Sequence, residues 1–190
     1  MKNTDKKNIL LIILVVLLFV TASYSSAFAS RKKSISNHIV FGDLELVLIE
    51  NTKDASGKEI PFEEKDEVIT EASVVSRIVR VENVCDNDMF VRIALNVDVE
   101  DENNNHKSGN EMVQYDINEK DWTYQDGYYY YKHILKARET TENLFEELTF
   151  DLEDDLVDSK LHLNIDVEAV QSKNNASNVL EAEGWPSWKE

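Results

Sequence analysis

Apolar residues recur at every second position through the best-patterned stretches of this chain, and that period commits it to strands. From Met89 to Val99, the residues Met89, Val91, Ile93, Leu95, Val97 and Val99 share one face, while Arg92, Asn96 and Asp98 share the other. Leu161, Leu163, Ile165 and Val167 alternate with His162, Asn164, Asp166 and Glu168 in the same way. Leu148, Phe150 and Leu152 alternate with Glu147, Thr149 and Asp151. Leu44, Leu46 and Leu48 line one side of a further strand, whose Val47 and Ile49 predict burial on both faces. Ser73–Val81 and Tyr128–Leu135 complete the set. An apolar inner face under a polar outer face is the pattern of an antiparallel β-sandwich.

Turn residues separate these runs. Asn51–Asp54, Ser56-Gly57 and Pro61 lie in a segment, 51–67, that reads as one long flexible loop. Asp86-Asn87-Asp88 reads as a short hairpin connection, and Asp126-Gly127 is a strong hairpin dipeptide directly before four tyrosines. Ala176–Glu183 is expected to be a short C-terminal helix, with Asn175 as its cap and Gly184 at its end. The stretch Thr140–Leu148 also has helical features.

The first 29 residues stand apart from the strands. Lys2, Lys6 and Lys7 precede an apolar run from Ile9 to Val20, and Ala27-Phe28-Ala29 follows after a polar stretch. These are the charged, apolar and small-residue parts of a signal peptide, with Ala27 and Ala29 at the positions a signal peptidase reads. The apolar run is shorter than the roughly 20 residues that span a bilayer, which favours cleavage over an uncleaved anchor. Cleavage after Ala29 leaves residues 30–190 as a single exported domain with no stable membrane anchor.

Composition narrows the partners. Lys2, Lys6, Lys7 and Asp5 leave with the leader, so cleavage takes the net charge from −17 to −19. Such a field repels nucleic acid and anionic membrane surfaces, both of which need clustered Lys and Arg. Cys85 is the one cysteine and cannot form an internal disulfide; it reads as a small buried or turn-proximal residue.

No constellation of catalytic residues stands out. His38, His106, His133 and His162 include no H-E-x-x-H pair, although His133 and His162 could meet across a sheet. There is no G-x-S-x-G and no Gly-rich phosphate loop. Asp86-Asn87-Asp88, Glu100-Asp101-Glu102 and Asp151–Asp158 offer oxygen ligands for calcium but lack an EF-hand loop, so they read as solvated charge. Alternation puts two of Tyr128–Tyr131 inward and two outward, so cross-strand packing accounts for them better than sugar stacking. Asn175-Ala176-Ser177 matches a glycosylation sequon. We therefore expect no enzyme, no cofactor and no metal.

Several segments resemble the TasA/camelysin family of exported proteins from Gram-positive bacteria. Asn37–Glu50 resembles the family's opening strand, and Ile78–Asn83 with Phe90–Ile93 its paired central strands. Trp122, Asp126–Leu135 and Thr141–Phe145 resemble its most recognisable stretch, and Val167–Gln171 with Trp185 its final strand and tail. Through Thr141–Phe145 the resemblance implies a turn into a strand in place of a helix. Two departures stand out: the leader ends in Ser-Ala-Phe-Ala, and Lys136-Ala137-Arg138-Glu139 replaces the usual Pro-Gly-Glu turn.

The resemblance implies a jelly-roll-like β-sandwich and a structural role in biofilm-matrix fibres; it also brings in camelysin-like metalloproteases. Export, a sandwich with open strand edges and a terminus freed by cleavage together predict self-association into a homopolymer by donor-strand pairing. The candidate assembly strand is Ser30–Phe41, with Ile35, Ile39 and Phe41 on one face. Matrix polymers are further possible partners. The alternatives are a monomeric surface adhesin and a metalloprotease.

Overall fold

A computed structural model describes residues 37–41, 44–63, 74–100, 105–151 and 160–186. Residues 1–29, the expected leader, therefore lie outside the described residues. Eleven strands are described: β1 (Asn37–Phe41), β2 (Leu44–Lys53), β3 (Glu59–Pro61), β4 (Val74–Asn83), β5 (Met89–Glu100), β6 (His106–Ser108), β7 (Val113–Tyr115), β8 (Trp122–Gln125), β9 (Tyr128–Tyr131), β10 (Phe145–Phe150) and β11 (Lys160–Gln171). They form two sheets. The first has the order β1-β2-β4-β10-β7, with β3 also on β2; the second has the order β11-β5-β9-β8, with β6 also on β5. Their pairings are antiparallel, so the all-β expectation holds.

Alternation builds the core between the sheets. Leu44, Leu46 and Leu48 of β2, Val79 and Val81 of β4, and Leu148 and Phe150 of β10 come from the first sheet. Met89, Val91, Ile93, Val97 and Val99 of β5, Trp122, Tyr131, Val167 and Ala169 meet them from the second. The longest pairing, β11 with β5, runs from Lys160↔Glu100 to Gln171↔Met89 without a register shift. Asp126 (φ 50°) and Gly127 (φ 86°) join β8 to β9, the two successive positive φ values that a tight hairpin turn of this hand requires.

Three local expectations need correction. Asp86-Asn87-Asp88 is no hairpin turn, because β4 and β5 belong to different sheets. The segment after β9 holds this corner in place. Asn83, fully buried, donates from Nδ2 to Asn87 O (2.8 Å) and Lys136 O (3.0 Å). Lys136 Nζ pairs with Asp88 (2.7 Å), and Arg138 pairs with Asp86 (2.8 Å). A short polar turn between two alternating strands fits a hairpin or a sheet change equally well, and these non-local partners decide between them.

The segment 51–67 is not one loop. β2 continues to Lys53, and β3 pairs with it at Asn51–Lys53. Asp54 closes the turn between them, accepting at Oδ1 from Ser56 N (2.8 Å) and Lys58 N (3.0 Å). Residues 64–67 lie outside the described residues.

The C-terminal helix is a single 3-10 turn, Val179–Glu181, capped by Asn178 rather than Asn175. A lone short segment cannot recover the cost of nucleating an α-helix, and Asn175 is engaged elsewhere. Thr140–Leu148 runs as a turn into a strand, the favoured one of its two readings: Thr140 bridges to Glu82, and β10 begins at Phe145.

Candidate functional site

The first candidate is the edge of the first sheet. β1 is its terminal strand and pairs with β2 from Asn37↔Leu48 to Phe41↔Leu44. Ile39 stands opposite Leu46, and Phe41 opposite Leu44, both of which are core residues. The described part of the candidate assembly strand, Asn37–Phe41, thus occupies an edge position on its own chain. Ala27, Ala29 and Ile35 lie outside the described residues.

A second site was missed by reading the sequence. Arg92 and Glu168, both assigned to outward faces, lie under cover: Glu168 is 0% exposed and Arg92 9%. The guanidinium donates to Glu168 Oε2 from Nε (2.7 Å) and Nη2 (2.6 Å), and from Nη1 to Tyr130 Oη (3.0 Å). Its planar carbon lies 3.8 Å from the Tyr128 ring centroid and 4.5 Å from that of Trp185. The cation is therefore held by one carboxylate and by aromatic faces whose quadrupole attracts it. Burial, and next the Glu168 carboxylate, raise the Tyr128 hydroxyl pKa.

Around this pair, Phe90, Tyr130, Val170, Val179 and Ala182 form a second apolar cluster on the outer side of the second sheet. Parity explains who lands there: Phe90 and Arg92, Tyr128 and Tyr130, Glu168 and Val170 are the outward positions of β5, β9 and β11. The available signal was that β5 and β11 are apolar on both faces at this end, through Phe90 and Val170. Tyr131 is buried in the main core, with Tyr129 partly buried against it. Tyr124 is 63% exposed and packs against Tyr129 at 4.9 Å.

Of the acidic and histidine candidates, those with described side chains find ordinary partners. Asp86 and Asp88 pair with Arg138 and Lys136 as described. His106 Nδ1 lies 2.6 Å from Asp98, His162 Nε2 3.7 Å from Glu100, and His133 Nε2 3.0 Å from Asp121. His133 and His162 thus have different partners and do not form a joint site. The His133 contact, opposed by burial and aided by Asn118, holds the Asp121 pKa below the usual carboxylate value. Asp101–Asn104 and 152–159 lie outside the described residues. Among the described residues, no group of three or more His, Cys, Asp or Glu side chains could hold a metal ion.

A cavity of about 240 Å³ is lined by Asp116, Asn118, Glu142, Asn143, Phe145 and Glu146. Two of its carboxylates are already engaged: Asp116 Oδ1 accepts from Glu146 N (2.9 Å) and Glu147 N (2.7 Å), and Glu146 accepts from Asn143 Nδ2 (3.0 Å) and Lys53 Nζ (2.7 Å). Cys85 is half-buried beside the β4–β5 corner, with its Sγ 3.1 Å from Asn83 Oδ1. The sequon Asn175 is engaged on both sides of its amide: Nδ2 donates to Gln171 O and Glu183 O, and Oδ1 accepts from Ala176 N and Glu183 N.

No protein-family model, no curated protein and no solved structure matches this chain.

Proposed function

We propose that this chain is an exported structural protein of the extracellular matrix or cell surface, and that copies polymerise by pairing β1 of one with β2 of the next. The observation that carries this reading is the place of β1: it is a terminal sheet strand with five register pairs to β2. The expected cleavage after Ala29 would free the segment that precedes it. An edge strand offers its backbone groups to another chain as readily as to its own. Moving β1 from its own β2 to a neighbour's conserves the hydrogen bonds and links the copies head to tail. The TasA-like features of Asn37–Glu50 and Asp126–Leu135 support the same reading, and with it a jelly-roll-like wiring of the two sheets.

The test compares Ser30–Glu190 with a chain that lacks Ser30–Val40, using electron microscopy and light scattering, after circular dichroism has shown both to be folded. Fibres from the first and monomers from the second are expected; equal assembly by both overturns the reading.

A further inference from the structure

The segment that follows β11 is built as a self-contained unit. Asn175 ties its two ends together: Nδ2 donates to Gln171 O (3.0 Å) and Glu183 O (3.0 Å), while Oδ1 accepts from Glu183 N (3.0 Å) and Ala176 N (2.8 Å). Inside this closed loop, Leu180 N donates to Asn178 Oδ1 (3.0 Å), Glu181 N to Asn178 O (3.1 Å) and Ala182 N to Val179 O (3.2 Å). Among the described residues, the hydrogen bonds of 176–186 thus run within the segment 171–183. Among the described residues, its links to the rest of the protein are at its root, where Asn175 Nδ2 donates to Gln171 O of β11 and Ser172 N donates to Asp88 O (3.1 Å). Asn174, just beyond it, sits at φ 61°.

What holds this unit down is of a different kind. Val179 (2% exposed) and Ala182 (9%) bury against Phe90, Tyr130 and Val170. Trp185 meets the Tyr130 ring edge-on at 5.7 Å and covers the Arg92 guanidinium at 4.5 Å. This apolar cluster is separate from the main core between the sheets. Lifting the segment therefore breaks side-chain contacts on the outer face and the Asn175–Gln171 bond at the root, while the hydrogen bonds among 175–183 and the sandwich core stay intact. Compact loops with closed ends and few ties to their scaffold move as units.

We propose that residues 172–186 form a lid that opens as a unit about Ser172–Asn174. Opening uncovers the Arg92–Glu168 pair and the apolar face of Phe90, Tyr130 and Val170 while the two sheets remain closed. Trp185 is the latch, because among the described residues of the lid it is the one that meets both the cation and an aromatic ring.

Thiol labelling of the folded protein tests this in a Cys85→Ser background, with single cysteines placed at Val179 in the lid, at Val170 beneath it and at Val81 in the main core. Ala182→Cys serves in place of Val179→Cys if the latter does not fold. Val179→Cys and Val170→Cys should label at the same rate, at least about a hundredfold faster than Val81→Cys, whose exposure needs global unfolding. Adding Trp185→Ala should raise both lid rates about tenfold through loss of the aromatic and cation contacts, and leave the Val81→Cys rate unchanged. Equal rates at all three positions overturn the proposal. So does fast labelling at 179 with core-like labelling at 170, because the segment then frays without uncovering the face beneath it.

Discussion

The Arg92 guanidinium and the Glu168 carboxylate form a two-point ion pair at 2.6 and 2.7 Å on the outer face of a sheet, with Glu168 fully removed from solvent. A buried pair is costly to split, since the remaining charge has no water to turn to. Glu168→Leu alone should lower the unfolding free energy by about 3–5 kcal/mol. Arg92→Met together with Glu168→Leu should return to within about 1 kcal/mol of the parent, because no charge is stranded. Urea unfolding of the two single variants and the double variant measures the cycle; simple additivity would show that the two groups act independently.

Asn83 supports the corner where the chain leaves one sheet for the other. Its side chain donates to two backbone carbonyls and accepts from Cys85 N (3.0 Å). Asn83→Ala strands those groups in a buried place and should cost about 2–3 kcal/mol in urea unfolding. A cost within experimental error would mean that water or other groups replace it.

Gly109 is required for space rather than for an unusual backbone angle. A Cβ there would lie 2.6 Å from Val99 Cγ2 and 2.9 Å from Val97 Cγ1. Both neighbours are buried on β5 and cannot withdraw freely. Gly109→Ala should destabilise by about 1–3 kcal/mol through overpacking, and trimming Val99 to Ala in the same chain should recover part of the loss.

Asp121 makes stability depend on acid. Its pKa is lowered in the folded chain, chiefly by the His133 hydrogen bond, so the folded state binds its proton less readily than the unfolded chain does. The resulting stability is fully present above the ordinary value of 3.8 and is lost as pH falls through the lower folded value. Asp121→Asn should flatten the decline of melting temperature below about pH 4 while removing stability at neutral pH. An unchanged acid limb would place the dependence on other carboxylates.

Much of this arrangement is legible in the residue pattern. The alternation along Met89–Val99 and Leu161–Ala169 identifies the core face of β5 and β11, and Asp126-Gly127 marks a turn with two positive φ values. Parity also divides Tyr128–Tyr131 between two faces. Alternation does not reveal what covers an outer face. Arg92 and Glu168 are polar residues at outward positions, and they are buried because a segment distant in sequence folds over them. The β4–β5 corner was misread for the same reason, since its partners Lys136 and Arg138 lie some fifty residues away. The neighbours of Asn175 resemble a helix start, which makes it a cap by local pattern, whereas its amide closes a loop with Glu183. The buried pair and the β4–β5 corner depend on contacts distant in sequence, whereas the β2–β3 hairpin and the Asn175 loop are closed by side chains a few residues away that alternation does not register.

The most direct test of assembly by strand exchange uses two different chains, each as Ser30–Glu190 in a Cys85→Ser background. One carries His38→Cys on β1 and the other Val47→Cys on β2, positions that face each other in the pairing register at the short Cα separation a disulfide needs. The two are mixed under assembling conditions and oxidised. A chain carrying both substitutions confirms that the pair can bridge. Exchange of β1 between copies predicts a mixed disulfide joining the two different chains within the assembled material. Fibres that contain no mixed disulfide, formed while the doubly substituted chain closes its bridge internally, would contradict the account.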